Sequence, residues 1–241
     1  MASVGSTRII VATLVALLVV DVPLCGQTGQ PSGWTPQQAT RDQLCVTNGA
    51  VTAGKDGRLL IETPSARAVI PGVTEQVAEI RFRYLGPTSG SKPLASGELR
   101  RQIGLKLRAQ DTCNLLYVMW HIEPDTRLAV TIKRNPGMHT HAQCGARGYV
   151  TVKGENTRGL PSVSPGGSHS LRAEMRGDRL RVLADGQLAW EGSVGTLVAE
   201  FDGPVGLRTD NGRFEFEIFA KLNDPTIGSE RPKPCRAGPG D

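Results

Sequence analysis

What most confines this chain is a two-residue hydrophobic period that recurs along its length. In VAEIRFRYL (77–85), Ala78, Ile80, Phe82 and Tyr84 alternate with Glu79, Arg81 and Arg83. IGLKLRA (103–109) sets Ile103, Leu105 and Leu107 against Lys106 and Arg108, and LAVTIKR (128–134) sets Leu128, Val130 and Ile132 against Thr131 and Lys133. Side chains alternate faces along a strand, so each segment reads as a half-buried strand. NLLYVMWHI (114–122) differs because both of its faces are apolar. Leu116, Val118, Trp120 and Ile122 form one row, and Leu115, Tyr117, Met119 and His121 the other. A strand covered on both sides belongs mid-sheet. The Tyr117/His121 row is the more mixed, so it is expected to face away from the core, under a cleft or loop.

The last third continues the period. Leu171, Ala173 and Met175 precede a turn at Gly177-Asp178; Leu180, Val182 and Ala184 precede an Asp185-Gly186 hairpin signal. A short strand ending at Arg208, an Asn211-Gly212 turn and a last strand with Phe214, Phe216 and Ile218 inward follow. No useful stretch has a helical period. With 29 Gly and 16 Pro in 241 residues, this is a turn-rich chain of about a dozen short strands. It predicts an all-β domain of two packed antiparallel sheets.

Arg8 is followed by the apolar run IIVATLVALLVV, which Asp21 ends. Its twelve residues are too few to span a bilayer, for which about 20 are needed. Residues 1–26 are therefore expected to be a secretory signal peptide. VPLC at 22–25 partly matches a lipobox, with Leu24 where a small residue is usual, so a lipid anchor at Cys25 is the alternative and the one membrane contact expected. Residues 27–43 read as a flexible leader, 44–222 as the domain and 223–241 as a tail carrying Cys235. The expected location is secreted, periplasmic or cell-surface, in a bacterium. Without Cys25 the chain holds Cys45, Cys113, Cys144 and Cys235, an even set that suggests two disulfides in an oxidising compartment. Cys113 and Cys144 border strands of one block while Cys45 and Cys235 lie at the domain ends, so Cys113–Cys144 and Cys45–Cys235 are the expected pairs. The net charge of +5 comes with no Lys/Arg block, so no nucleic-acid partner is expected.

HSLRAEMRGDRLRVLADGQLAWEG followed by GPVGLRTDNGRFEFEI resembles the C-terminal half of concanavalin A-like lectin/glucanase jelly rolls. It is most similar to laminin-G-like and bacterial 3-keto-disaccharide hydrolase (DUF1080) domains. The likeness covers residues 169–219 well and 45–153 only in strand rhythm. It implies a jelly-roll β-sandwich with a carbohydrate-related role, although fold does not fix function. The Glu-x-Asp-x-x-Glu motif of the superfamily's glucanases is absent. Glu215 and Glu217 share one strand face about 7 Å apart, and read better as solvent-facing partners of Phe214 and Phe216 than as a glycosidase pair. SGELRRQ (96–102) is faintly similar to the Arg-Ser-Glu-Leu-Arg strand of alginate-lyase-type jelly rolls, with Arg100 at the catalytic arginine's place; the companion motifs are missing.

PGMHTHAQCGARGYV (136–150) holds His139 and His141 beside Cys144. A metal site that also used His121 is one reading. Pro136 and Gly137 make a loop more natural, and the cysteine is better used in a disulfide, so neither metal nor cofactor is expected. If strands 77–85, 103–109, 114–122, 128–134 and 148–153 share a sheet, their outer faces gather Arg81, Arg83, Lys106, Arg108, Tyr117, His121, Lys133 and Tyr149. Aromatic rings stack on sugars and guanidinium groups grip carboxylate or sulfate. An acidic or complex glycan is the expected partner, stacked on Tyr117, Tyr149, Trp120 or His121; ordinary solvated residues of an exposed sheet are the competing explanation. An enzyme built on this face would be a polysaccharide lyase or glycoside hydrolase. A lyase would use Arg100 or Arg108 to neutralise a uronate and His121 or Tyr149 to move the proton. An envelope interaction protein with no sugar site is a further class.

Overall fold

The structure, a computed structural model, describes residues 1–2, 35–74 and 76–222. The chain divides into two units, Met1–Pro31 and Ser32–Asp241, and every element below belongs to the second. Apart from residues 1–2, the expected signal segment with Cys25 lies outside the described residues, as does the expected tail with Cys235.

In chain order the strands are β1 (Gln37–Gln38), β2 (Cys45–Asn48), β3 (Thr52–Ala53), β4 (Leu59–Ile61), β5 (Ser65–Val69), β6 (Val77–Pro87), β7 (Arg101–Leu107) and β8 (Leu115–Glu123). They continue with β9 (Arg127–Lys133), β10 (Tyr149–Val152), β11 (Asn156–Thr157), β12 (Ser168–Arg176), β13 (Arg179–Ala184), β14 (Gln187–Ser193), β15 (Gly206–Asp210) and β16 (Gly212–Ala220). A four-residue helix, α1 (His141–Cys144), interrupts the segment between β9 and β10. One sheet runs β11-β14-β13-β12-β6-β16-β4-β3 with β1 beside β16; the other runs β10-β9-β8-β7-β15-β5-β2. This is the expected all-β jelly-roll sandwich of two antiparallel sheets. The domain starts earlier than residue 44: β1 pairs with β16, and Ala39 is fully buried.

The apolar rows meet between the sheets. Ile80, Phe82 and Tyr84 of β6, Leu171 and Ala173 of β12 and Phe214, Phe216 and Ile218 of β16 pack in one core with Ile103 and Leu105 of β7, Val118 and Trp120 of β8 and Leu207 of β15. The Phe82 and Trp120 rings join the layers edge to face at 5.6 Å. Gly177-Asp178 and Asp185-Gly186 are two-residue hairpin turns, as their sequence suggests. Asn211 does something else. β15 runs on to Asp210, and the next strand, β16, lies in the opposite sheet, so Asn211 marks a crossing between layers.

β6 is expected beside β7–β10 but is not found there. It lies in the other sheet between β12 and β16. Nine residue pairs join it to β16, with Arg81 opposite Glu217 and Arg83 opposite Glu215, so charge complementarity supports this placement.

The outward faces of β5, β15, β7, β8, β9 and β10 form the floor of a cleft, and Gly104 is part of it. A Cβ there would stand 2.1 Å from the Val118 carbonyl oxygen and 2.8 Å from Met119 Sδ. Gly104→Ala is expected to cost about 2–3 kcal/mol. A fall in the urea midpoint with an unchanged slope checks this.

Candidate functional site

Register assembles the floor row by row. Asp210 of β15 lies opposite Gln102, which lies opposite His121, which lies opposite Arg127. In the next row Arg67, Arg208, Gly104, Met119 and Ala129 are neighbours across five strands. A third row carries Lys106, Tyr117, Thr131 and Thr151, and a fourth Leu115, Lys133 and Tyr149. The cleft encloses about 740 Å³; Arg67, Arg100, Lys106, Arg127, Lys133 and Arg208 line it together with Tyr117, Tyr149 and His121, and among the described residues no Asp or Glu does.

One carboxylate organises this surface from behind. Asp210, 2% exposed, accepts from Arg67 Nη2 at 2.8 Å, from Arg208 Nε at 2.8 Å and from Gln102 Nε2 at 2.6 Å. Burial pushes its carboxyl up, but the Arg208 and Arg67 charges and these hydrogen bonds bring it below the usual carboxylate range. Burial is the largest effect against the Arg208 charge too, and Asp210, Tyr117 and Tyr149 together outweigh it, holding that pKa above its ordinary value. The Arg208 guanidinium lies 5.0 Å from the Tyr117 ring centre, and Tyr117 stacks on Tyr149 at 6.2 Å. Burial pushes the Tyr117 hydroxyl up to about 12, against the pull of Arg208. Lys133 Nζ donates to the Thr112 carbonyl at 2.9 Å and lies 5.2 Å from the Tyr149 ring centre.

His121 is held neutral. Burial first, then the Arg100 and Arg127 charges, pull its pKa down to about 3 from 6.5. Arg127 Nε donates to His121 Nδ1 at 3.1 Å. An arginine cannot accept, so Nδ1 offers its lone pair and the ring proton sits on Nε2.

Two segments wall the floor at opposite strand ends. Leu94–Ser96 line the end near Gln102 and His121, and His141, Gly145 and Ala146 the end near Tyr149. The first wall is fastened by Asn211, whose Oδ1 accepts from Lys92 N–H at 2.7 Å and whose Nδ2 donates to the Lys92 and Arg100 carbonyls at 2.8 and 3.1 Å. Glu98 pairs with Arg100 on this wall, and that contact lowers the Glu98 pKa. The second wall is the stretch 136–150. Its Cys144 is bonded to Cys113 as expected, with Cα atoms 5.9 Å apart. Asn114 Nδ2 donates to the Met138 carbonyl, and Asn135 Nδ2 to those of Cys113 and Arg147. The His-x-His pair divides: His139 Nδ1 lies 2.8 Å from Asp111 Oδ2, while His141 opens α1 and lines the cleft. Among the described residues no three His, Cys, Asp or Glu side chains are grouped to hold a metal. Cys45 is also disulfide-bonded; its expected partner, Cys235, lies outside the described residues.

The cleft thus unites Arg100, Lys106, Tyr117, His121, Lys133 and Tyr149 of the residues read from sequence. Four others are elsewhere. Arg81 and Arg83 lie on the outer face of the opposite sheet, Arg81 paired with Glu79 at 2.6 Å. Arg108 follows the end of β7 with a positive φ of 48°, which breaks the alternation, and it donates to the Phe201 carbonyl. Trp120 is fully buried in the core. Glu215 and Glu217 face Arg83 and Arg81 across strands and do not reach the cleft. Arg67, Gln102, Arg127 and Arg208 were missed, although Ala66-Arg67-Ala68 and Leu207-Arg208-Thr209 carry the same period-two signal in shorter strands.

No family profile and no curated protein matches this sequence. Solved structures do. The carbohydrate-binding module CBM66 from Bacillus subtilis is similar at 12% identity and a TM-score of 0.50, over 72% of this chain and 91% of that one. The Emp46p carbohydrate recognition domain is similar at 10% and 0.47, over 74% and 87%. The laminarinase catalytic domain from Thermotoga maritima gives 16% and 0.42, over 72% and 81%. At such identity the likeness to CBM66 shows the fold.

The His121 shift has a consequence for stability. Its folded pKa of about 3 lies below the ordinary 6.5, so the unfolded chain binds the extra proton between those values. The stability it contributes is present above pH 6.5 and is lost as pH falls toward 3. His121→Gln should therefore show a shallower loss than wild type between pH 6.5 and 5, above the ordinary carboxylate range of about 4. Urea unfolding at a series of pH values reads the difference.

Proposed function

We propose that this chain is an exported carbohydrate-binding domain that takes an acidic glycan in the cleft of its seven-stranded sheet. The observation that carries this is the lining: among the described residues, six cations and two stacked tyrosines on one concave face, with no carboxylate. Guanidinium groups recognise carboxylate and sulfate, and the exposed Tyr149 ring offers a flat apolar face to a sugar. The kinship in fold with a carbohydrate-binding module supports the reading without identifying the glycan.

The chemistry favours binding over the lyase alternative. A lyase on this face needs a base for the proton beside the uronate carboxyl. His121 is unsuited to it, because its one lone pair is taken by Arg127 and its other nitrogen carries the proton. Tyr117, with its hydroxyl pushed up to about 12, is a poor base as well. Both are suited to donating hydrogen bonds to an oxygen-rich ligand.

A glycan array with wild type, Arg100→Gln and Tyr149→Ala tests the proposal. The expected result is selective capture of uronate-containing or sulfated glycans by wild type, weakened about tenfold or more in each variant. Capture undiminished in both would move the site off this face, and no capture of any glycan would favour the interaction-protein alternative. Growth of the ultraviolet absorbance of an unsaturated uronate would restore the lyase.

A further inference from the structure

The cations in the cleft are not gathered at one point. Arg67 lies on β5, Arg208 on β15, Lys106 on β7, and Arg127 and Lys133 on β9. β8, between the last two strands, contributes neutral His121 and Tyr117. Six neighbouring strands at about 4.8 Å spacing give the floor a width of roughly 24 Å. A single sugar ring is no larger than the Tyr117 side chain and covers about one interval between strands. The walls at Leu94–Ser96 and His141–Ala146 stand at the strand ends, so the long axis of the floor crosses the strands.

Partial compensation does not remove this spread. Asp210 neutralises one charge of the Arg67/Arg208 pair, and Glu98 pairs with Arg100. Two buried polar atoms on the floor and wall also lack a partner: Gln102 Oε1, an acceptor, and Arg100 Nε, a donor. A buried polar group left unsatisfied is costly, and a ligand carrying both hydroxyl and acid groups would satisfy them together.

We infer that the cleft takes an extended polyanionic glycan, one charged unit after another laid across the strands from β5 to β10, and not a lone terminal acidic sugar. This rests on the acidic-glycan reading above and extends it to the length and charge repeat of the ligand. Chain length then acts as multivalency: each added charged unit reaches another cation already fixed in place, with little further loss of freedom.

The experiment is calorimetry on the full chain with size-defined oligogalacturonates of one, two, four and six units, heparin-derived oligosaccharides of matching length, and the methyl-esterified galacturonates as uncharged controls. Affinity should rise about tenfold or more from two units to six. Its salt dependence should steepen over the same series, as expected when more ion pairs form, and the esters should bind weakly at every length. A rise in the galacturonates shows that carboxylate suffices, and a rise in the heparin series alone shows that sulfate is required. Arg127→Gln, at an exposed position, should flatten the salt dependence of the hexamer more than that of the dimer. A monomer that binds as tightly as the hexamer, with equal salt dependence, would overturn the extended-chain inference while leaving the acidic-glycan reading intact. An Arg127→Gln hexamer profile identical to wild type would also overturn it. Absence of binding by every acidic oligomer would overturn both.

Discussion

The chain passes from one sheet to the other between Asp210 and Gly212, and the cleft depends on that crossing. Asp210 ends β15 in the cleft-bearing sheet, and Gly212 begins β16 in the opposite one. Asn211 between them takes a positive φ of 57°, which asparagine tolerates better than most residues. Its side chain fastens the first wall, while Asp210 fixes the guanidinium groups of the floor. Gly212 completes the turn: a Cβ there would stand 2.5 Å from the Phe214 ring. Three consecutive residues thus join the layers, orient the floor and hold the wall. A change at any of them reaches the cleft through the backbone.

The position of Asp210 shows how cations can be kept in a partly dry cleft. Burying a charge without a partner is expensive, and removing one member of a buried pair is strongly destabilising. Placed behind the floor, Asp210 offsets that cost for two arginines and restricts their rotamers, yet it is absent from the lining. A carboxylate inside the cleft would satisfy the same arginines and compete with an acidic ligand. Recessed as it is, the acid orients the donors and leaves net positive charge facing outward.

The period-two pattern made the faces legible, because inside and outside along a strand follow from alternation alone. It gave the core rows of β6, β7, β8 and β16, the outward row of Tyr117 and His121, and both tight hairpins of the last third. Neighbour relations across a sheet were not legible in the same way. β6 alternates as cleanly as β7, and nothing within its residues says which sheet it joins; its partner β16 lies 125 or more residues further along the chain. Arg108 looked outward because alternation was carried one residue past the strand, where a positive φ turns the chain. Arg67 and Arg208 escaped notice because β5 and β15 are five residues each, too short for their period to stand out. The Cys113–Cys144 bond was readable because both cysteines flank strands of one local block.

The outer face of the nine-stranded sheet carries arginines as well, so arginine content alone does not distinguish a site from a surface. On the nine-stranded sheet Arg81 pairs with Glu79 and faces Glu217, Arg83 faces Glu215, and Arg58 lies 3.8 Å from Glu215. Such pairs are solvated, screened by salt and worth little individually. On the seven-stranded sheet the cations are walled in, their acids are recessed or on the rim, and donors such as His121 Nε2–H face the same space. Lower solvent access strengthens each interaction a ligand can make there. The first surface is already satisfied by its own residues. The second presents cations to a shared cleft with their acids held back, and that arrangement, more than the count of basic residues, separates it from the first.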